Sequence, residues 1–259
     1  MSSEPPHGPG FADNRVLGGR IILRQPVSGF RSGSDAVLLA AACHPPQGGR
    51  VVELGCGTGS PMLCLAWRRP DIHFTGVEID PATARLAAFN IARNGMSRRG
   101  RAICGDVGRP VLTAGGTDLV LANPPYFVEG RHRRSPDPER DRARAEGAAP
   151  LAAWVRTAVG LLNPQGVAVF IMRSERRSDV QQALPPGWSM TERPIVGSLH
   201  KPPKRFLALL RAGGSHSVLP PIHLHDADGA ETHLAGTIFR DAAPIFWPAP
   251  VASTRSGDT

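Results

Sequence analysis

From Arg50 onward, short apolar runs of strand length alternate with segments of helical patterning, which confines the chain to an α/β architecture around a mainly parallel sheet. The first run is Val51-Val52-Glu53-Leu54, followed by a Gly-rich turn, Gly55-Cys56-Gly57-Thr58-Gly59, and a helix opening near Pro61. The second, Phe74 to Ile79, runs into Asp80-Pro81, a cap and a first helical residue; that helix stops at Asn94-Gly95. A third strand is expected over Arg101 to Cys104, ending at Gly105-Asp106, and a fourth in Leu119-Val120-Leu121-Ala122. After a helix from about Leu151 to Leu162, Val167 to Met172 reads as a buried fifth strand. A polar helix near Glu175 to Leu184 and two strands around Ser189 to Val196 and Phe206 to Arg211 complete a Rossmann-like, seven-stranded sheet with helices on both faces.

The remaining segments carry weaker patterns. Residues 1–14 are polar and rich in Pro and Gly and are expected to be disordered. Residues 15–48 form an extension: two short strands around Gly18-Gly19, then a helix capped by Ser34 or Asp35 and running through Val37 to Ala42. The core spans 49–212, and 213–259 is expected to be an irregular tail that packs locally. Residues 128–147 read as a mobile Arg-rich loop.

Charge and cysteine usage narrow the functional classes. A net charge of +8 and a pI of about 10.5 suit a polyanionic partner, nucleic acid above all. The four cysteines contain no Cys-x-x-Cys pair and no His cluster at ligand spacing, which argues against a metal site and for thiols in a reducing cytoplasm. No signal peptide and no apolar run of membrane-spanning length is visible, so no membrane association is expected.

Four constellations carry chemistry, each at the carboxyl end of an expected strand, where open α/β sheets bind ligands. The turn from Glu53 through Gly55, Gly57 and Gly59 lets a ligand approach the backbone closely. A dinucleotide fingerprint needs Gly or Ala three residues after Gly57; Ser60 stands there, so Gly-x-Gly-x-Gly favours S-adenosylmethionine over NAD. Glu78 ends the second strand and suits the two hydroxyls of a ribose, with Ile79 covering an adenine face. Asp106 suits the adenine amine, although an Asp in a Gly-Asp turn is common without any such role. Asn123-Pro124-Pro125-Tyr126 is a stiff turn pairing amide and carbonyl acceptors with an aromatic face, apt for a flat amine.

With these residues the chain resembles the class I S-adenosylmethionine-dependent methyltransferases that modify planar amines. Leu17-Gly18-Gly19-Arg20, Leu23-Arg24-Gln25-Pro26, Gly29-Phe30-Arg31-x-Gly33-x-Asp35, Asn123-Pro124-Pro125-Tyr126-Phe127, Lys204-Arg205 and Leu224-His225-Asp226-Ala227-Asp228-Gly229 are similar to the bacterial tRNA(Val) adenine N6-methyltransferase group. Phe30 stands where Tyr is expected. The resemblance implies methylation of an adenine N6 amine in RNA, most simply in a tRNA anticodon loop, by a monomer or weak dimer. It implies S-adenosyl-L-methionine as cofactor and Asn123, Pro124 and Tyr126 as catalytic residues, with Asn123 also near the cofactor. Tyr126 and Phe127 would stack on the base, and Arg131, Arg133, Arg134, Lys201, Lys204 and Arg205 would hold phosphates. Asp35 would line the cofactor's methionine end or the substrate entrance, or serve only as a helix cap. Three alternatives share these motifs: N2-guanine methylation of ribosomal RNA, glutamine methylation of a protein, and a non-catalytic RNA-binding module on the same fold.

Overall fold

The computed structural model describes residues 10–28, 33–109, 112–125, 149–198 and 201–248. A hairpin of β1 (Phe11–Val16) and β2 (Ile21–Pro26) leads to α1 (Ser34–Ala41). Then come β3 (Arg50–Leu54), α2 (Ser60–Arg68), β4 (His73–Glu78), α3 (Pro81–Arg93), β5 (Gly100–Cys104) and β6 (Thr117–Ala122). Next are α4 (Leu151–Leu161), β7 (Leu162–Arg173), a 3-10 turn at Ser174–Arg176, α5 (Arg177–Ala183), β8 (Trp188–Val196) and β9 (Arg205–Ala212). The short strands β10 (Ser217–Val218) and β11 (Ile222–His223) and the helix α6 (His233–Asp241) follow.

The expected seven strands lie in the order β5-β4-β3-β6-β7-β9-β8, and β10 and β11 extend the sheet to nine by pairing β8 on its outer edge. All pairings are parallel except those of β9, which runs antiparallel between β7 and β8. The chain leaves β3 toward β4 and β5, then returns to β6 on the other side of β3. The crevice between β3 and β6 is therefore the topological switch point, the usual ligand position in open α/β sheets.

Period-two alternation divides the strand residues between two cores. Val51, Leu119, Leu121, Val169 and Leu207 pack with α1, α2, α3 and α6 on one face. Val52, Val120, Ala122, Phe170 and Phe206 pack with α4 and α5 on the other. Asp80 caps α3 as expected, its Oδ1 accepting from the Thr83 N–H at 2.7 Å. Cys43, Cys56 and Cys64 are buried free thiols; burial pushes the Cys64 thiol up to about 12. No helix among the described residues is long and apolar enough to cross a membrane.

Four expectations need correction. First, the hairpin begins at Phe11, inside the stretch expected to be disordered; Arg24 and Arg93 both pair with Asp13 and hold its start. Second, the N-cap of α1 is Gly33 with no side-chain cap bond, so neither Ser34 nor Asp35 caps it; Asp35 forms an ion pair with Arg205 instead. Third, β7 begins at Leu162, not Val167: Leu162 pairs once with Thr117, a register shift leaves Asn163 to Gly166 opposite Asp118 alone, and pairing resumes at Val167. Fourth, the described residues after 212, 213–248, are not irregular. They supply β10, β11 and α6, then a strap that closes the end of α1. The Ile245 N–H donates to the Ala41 carbonyl at 2.8 Å and the Trp247 Nε1–H to the Ala42 carbonyl at 2.8 Å. Arg68 donates to the carbonyls of Ala40, Ala41 and Cys43, so the otherwise orphaned carbonyls of this helix end are satisfied. Weak hydrophobic periodicity hid a segment whose bonds are mostly to backbone.

Ile245 is almost fully buried at 3% exposure. Ile245→Ala is expected to lower the unfolding free energy by about 3 kcal/mol, the scale of a large-to-small core change. Urea denaturation checks this; an unchanged midpoint would mean that the strap is not part of the core.

Candidate active site

The rim of the sheet at the switch point is set by strand register. Leu54 pairs with Val77 of β4 and with Ala122 of β6, and Glu78 pairs with Cys104 of β5. The residues that follow these pairs are Gly55, Asn123 and Gly105-Asp106. Four of the sequence-predicted constellations therefore leave the sheet side by side.

The Gly-rich turn is held from several directions. Gly55, Gly57 and Gly59 all have positive φ, at 63°, 53° and 90°. At Gly55 a Cβ would meet the Trp154 ring at 2.4 Å, so its role is to admit α4 beneath the turn. At Gly57 nothing lies within 4 Å of such a Cβ. That is an open cradle, and a ligand can come up against the backbone there. The Gly57 N–H donates to Glu78 Oε2 at 2.9 Å, and the Asp80 N–H donates to Oε1 at 3.0 Å. Two backbone donors thus orient the half-buried Glu78 carboxylate and leave further acceptor capacity on its oxygens for hydroxyls. Ile79, next to it, is 49% exposed, a large apolar side chain without cover at the rim.

Glu53 lies beneath the turn. It is 1% exposed, and its Oε2 accepts from the Met62 N–H at 3.0 Å in the first turn of α2. Burial raises its carboxyl well above the usual value; the Met62 bond works against this and the nearby Glu78 charge adds to it. Glu53 therefore supports the turn from inside. Asp106 is half-buried, and its Oδ1 accepts from the Gly108 N–H at 2.7 Å, which shapes the turn after β5. The Thr157 hydroxyl of α4 donates to the Val107 carbonyl at 2.7 Å, so α4 anchors that turn as well as the Gly-rich one.

Asn123 is half-buried, Pro124 buried and Pro125 exposed. Tyr126, Phe127, Arg131, Arg133 and Arg134 lie outside the described residues, as do Phe30 and Arg31. Arg173 of β7 pairs with Arg205 of β9, so the start of β9 and the Lys204 before it stand on the same rim as Asn123. Lys201 and Lys204 are exposed, whereas Arg205 is partly buried against Asp35. The structure thus brings Glu53, Gly55, Gly57, Gly59, Glu78, Ile79, Asp106 and Asn123 to one half of the rim and Lys201, Lys204, Arg205 and Asp35 to the other. Sequence reasoning missed Trp154 and Asn90. Asn90 is a fully buried amide whose Nδ2 donates to the Thr58 carbonyl in the Gly-rich turn at 2.9 Å. Its signal was available as a polar residue on the apolar face of α3. No group of three or more potential metal-binding side chains occurs among the described residues.

Comparison with known proteins gives a consistent outcome. A family model described as methyltransferase small domain matches residues 30–135. The chain is 34% identical over 194 residues to the tRNA1(Val) (adenine(37)-N6)-methyltransferase of Porphyromonas gingivalis, spanning 69% of this chain and 73% of that one. It is 32% identical over 185 residues to the release factor glutamine methyltransferase of Rhodospirillum rubrum, spanning 68% of this chain and 55% of that one. In fold it is similar to a predicted O-methyltransferase from Agrobacterium tumefaciens, with a TM-score of 0.69 at 19% identity over 82% of this chain and 98% of that one.

The raised Glu53 carboxyl has a pH signature. The folded state keeps a proton there that the unfolded chain releases near the ordinary value of 4.5. Its contribution is therefore most favourable below that pH and is lost as pH rises toward the raised value. Glu53→Gln, which keeps an acceptor for the Met62 N–H, is expected to flatten that fall. The check is unfolding free energy against pH for both proteins; parallel curves above pH 4.5 would contradict it.

Proposed function

We infer that this chain, which belongs to the class I S-adenosylmethionine-dependent methyltransferases of the tRNA1(Val) (adenine(37)-N6)-methyltransferase group, methylates the exocyclic N6 amine of an adenine in tRNA. S-adenosyl-L-methionine supplies an electrophilic methyl group on a sulfonium and leaves as S-adenosyl-L-homocysteine. The open backbone at Gly57 and the oriented Glu78 carboxylate suit a ribose-bearing ligand. Gly55 and Gly59 complete the cradle, Ile79 covers an adenine face, and Asp106 accepts from the adenine amine.

The observation that carries the reading is the shared register of Leu54 with Val77 and Ala122, which puts the acceptor turn directly beside the cradle. An adenine amine is a weak nucleophile because its lone pair is delocalised into the ring. The Asn123 side-chain oxygen and the Pro124 carbonyl each accept one of its N–H bonds, which draws the nitrogen toward tetrahedral geometry and exposes its lone pair. Tyr126, next in the chain but one, stacks on the base with Phe127 and holds its plane. Orientation and electrostatics do the work: the N–C bond forms as the S–C bond breaks, the methylated nitrogen then becomes acidic and releases one proton to solvent, and a strong general base is not needed. The target base must be unstacked, and a looped nucleotide costs least to extract. Arg131, Arg133 and Arg134 follow the acceptor turn in sequence and hold phosphates with Lys201 and Lys204.

Glutamine methylation would use the same acceptor pair. The tRNA reading is favoured because the alignment spans 73% of the tRNA1(Val) relative against 55% of the glutamine methyltransferase, and because the chain carries a net charge of +8.

Asn123→Ala is expected to reduce methyl transfer by about 100-fold, the scale of one positioned catalytic group, with cofactor affinity nearly unchanged. The assay is methyl incorporation into unmodified tRNA, with nucleoside mass spectrometry of the product. Turnover near that of the parent would exclude the role, and methylguanosine in the digest would exclude the adenine assignment. Replacing Lys201 and Lys204 with Ala is expected to lower the slope of log affinity against log salt by about two. An unchanged slope in tRNA binding titrations would put both lysines off the interface.

A further inference from the structure

The Gly-rich turn is bonded through one buried side chain to an element on the far side of α3. Asn90 is 0% exposed, and both ends of its amide are bonded. Oδ1 accepts from the Arg24 N–H at 2.9 Å, and Nδ2 donates to the Arg24 carbonyl at 3.0 Å and to the Thr58 carbonyl at 2.9 Å. One turn later Asn94 repeats half of the pattern. Its Oδ1 accepts from the Ile22 N–H at 3.0 Å, and its Nδ2 donates to the Ile22 carbonyl at 2.8 Å and to the Asn90 carbonyl at 2.8 Å. The spacing is matched: four residues of helix rise about 6 Å and two residues of strand about 6.6 Å, so amides at i and i+4 meet strand residues at i and i+2. The backbone of β2 is thereby paired with β1 on one side and with two asparagine side chains on the other. Asn90 differs from Asn94 in its third bond, which runs to the cradle.

We propose that Asn90 is a positioning residue for the methyl donor, fixing the Gly57-Thr58-Gly59 backbone against the hairpin so that cofactor binding and hairpin docking are coupled. The three residues of that stretch include two with positive φ and no side chain to hold them. The Thr58 carbonyl is where a neighbouring element grips the turn by a side-chain bond, complementing the Gly57 bond to Glu78 on the other flank. Losing the Asn90 amide would leave the partly buried Thr58 carbonyl without this bond and let the turn relax away from the geometry a ligand needs. Losing the Asn94 amide would loosen the hairpin but leave the Thr58 bond in place. The proposal rests on the reading of the Gly-rich turn as the cofactor cradle.

The test is calorimetric titration of S-adenosyl-L-homocysteine into the full-length protein and its Asn90→Ala and Asn94→Ala variants, with a melting curve for each. Both variants are expected to melt earlier. Asn90→Ala is expected to bind about tenfold more weakly, the scale of one lost hydrogen bond, and Asn94→Ala within twofold of the parent. Equal affinity losses in the two variants, or none in Asn90→Ala, would overturn the proposal. Failure of the unsubstituted protein to bind would instead remove the cradle reading beneath it. Amide hydrogen exchange on the unsubstituted protein serves if Asn90→Ala does not fold. Saturating S-adenosyl-L-homocysteine is expected to slow exchange at Arg24 more than at Ile22, and equal rates of slowing at the two would count against the coupling.

Discussion

The pairing of Leu54 with Val77 on one side and Ala122 on the other is the constraint from which the site follows. Parallel strands share a direction, so three chains held in this register must all turn away at the same rim. A slip of one residue would also exchange the two faces of β3, sending Val52 and Leu54 out of the core they share with α4. That core is what brings the Trp154 ring to within a Cβ's width of Gly55. The shape of the cofactor turn and the packing of the sheet are thus one problem with one solution. The same helix, through Thr157, also anchors the turn after β5.

Two carboxylates bracket the turn, and their environments divide the labour. Glu53 is buried and bonded to the start of α2, where the helix dipole favours negative charge but burial resists it, and burial has the larger effect on its carboxyl. Glu78 is half-buried at the rim, its carboxylate oriented by two backbone N–H groups. Being partly solvated, it faces little desolvation penalty when a ligand's hydroxyls arrive. An internal acid that supports the fold and a half-buried acid at the rim thus come from positions that look alike in sequence, each near the carboxyl end of a strand.

That difference marks where legibility stopped. The order of strands and helices, the Asp80 cap and the rim placement of Gly57, Glu78, Asp106 and Asn123 were legible because each rests on local pattern: apolar period, Gly spacing, Asp-Pro at a helix start. Residues whose role is a long-range contact were not. Trp154 reads as one more apolar position of α4 until Gly55 is found under its ring. Asn94 reads as a helix stop beside Gly95, yet its amide pairs with Ile22, 72 residues earlier. The strap after α6 was missed for a related reason: Ile245-Phe246-Trp247 is a three-residue apolar run between prolines, too short to show a period, and its partners are the main-chain carbonyls of Ala41 and Ala42 at the end of α1, which no side-chain pattern announces. A cap was one of the readings open for Asp35 because a helix start is a local cue, whereas its ion pair with Arg205 spans 170 residues of sequence.

The Asp35–Arg205 pair bears on how charge is arranged along the rim. Glu78, Asp80 and Asp106 lie on the β4 and β5 half, and Arg173, Lys201 and Lys204 are exposed on the β7 and β9 half. A donor that is itself a sulfonium cation and a substrate that is a polyanion call for opposite fields, and the switch point between β3 and β6 separates the two. Arg205 sits on the basic half, but its charge is largely offset by Asp35 and its side chain is only 30% exposed. Recruiting it to a phosphate would break its ion pair with a partly buried carboxylate, a cost that the exposed lysines do not incur. Arg205 is better understood as a strut joining the start of α1 to the start of β9. Lys201 and Lys204, by contrast, are exposed, and an anion could draw on their charges without dismantling the ion pair that joins α1 to β9.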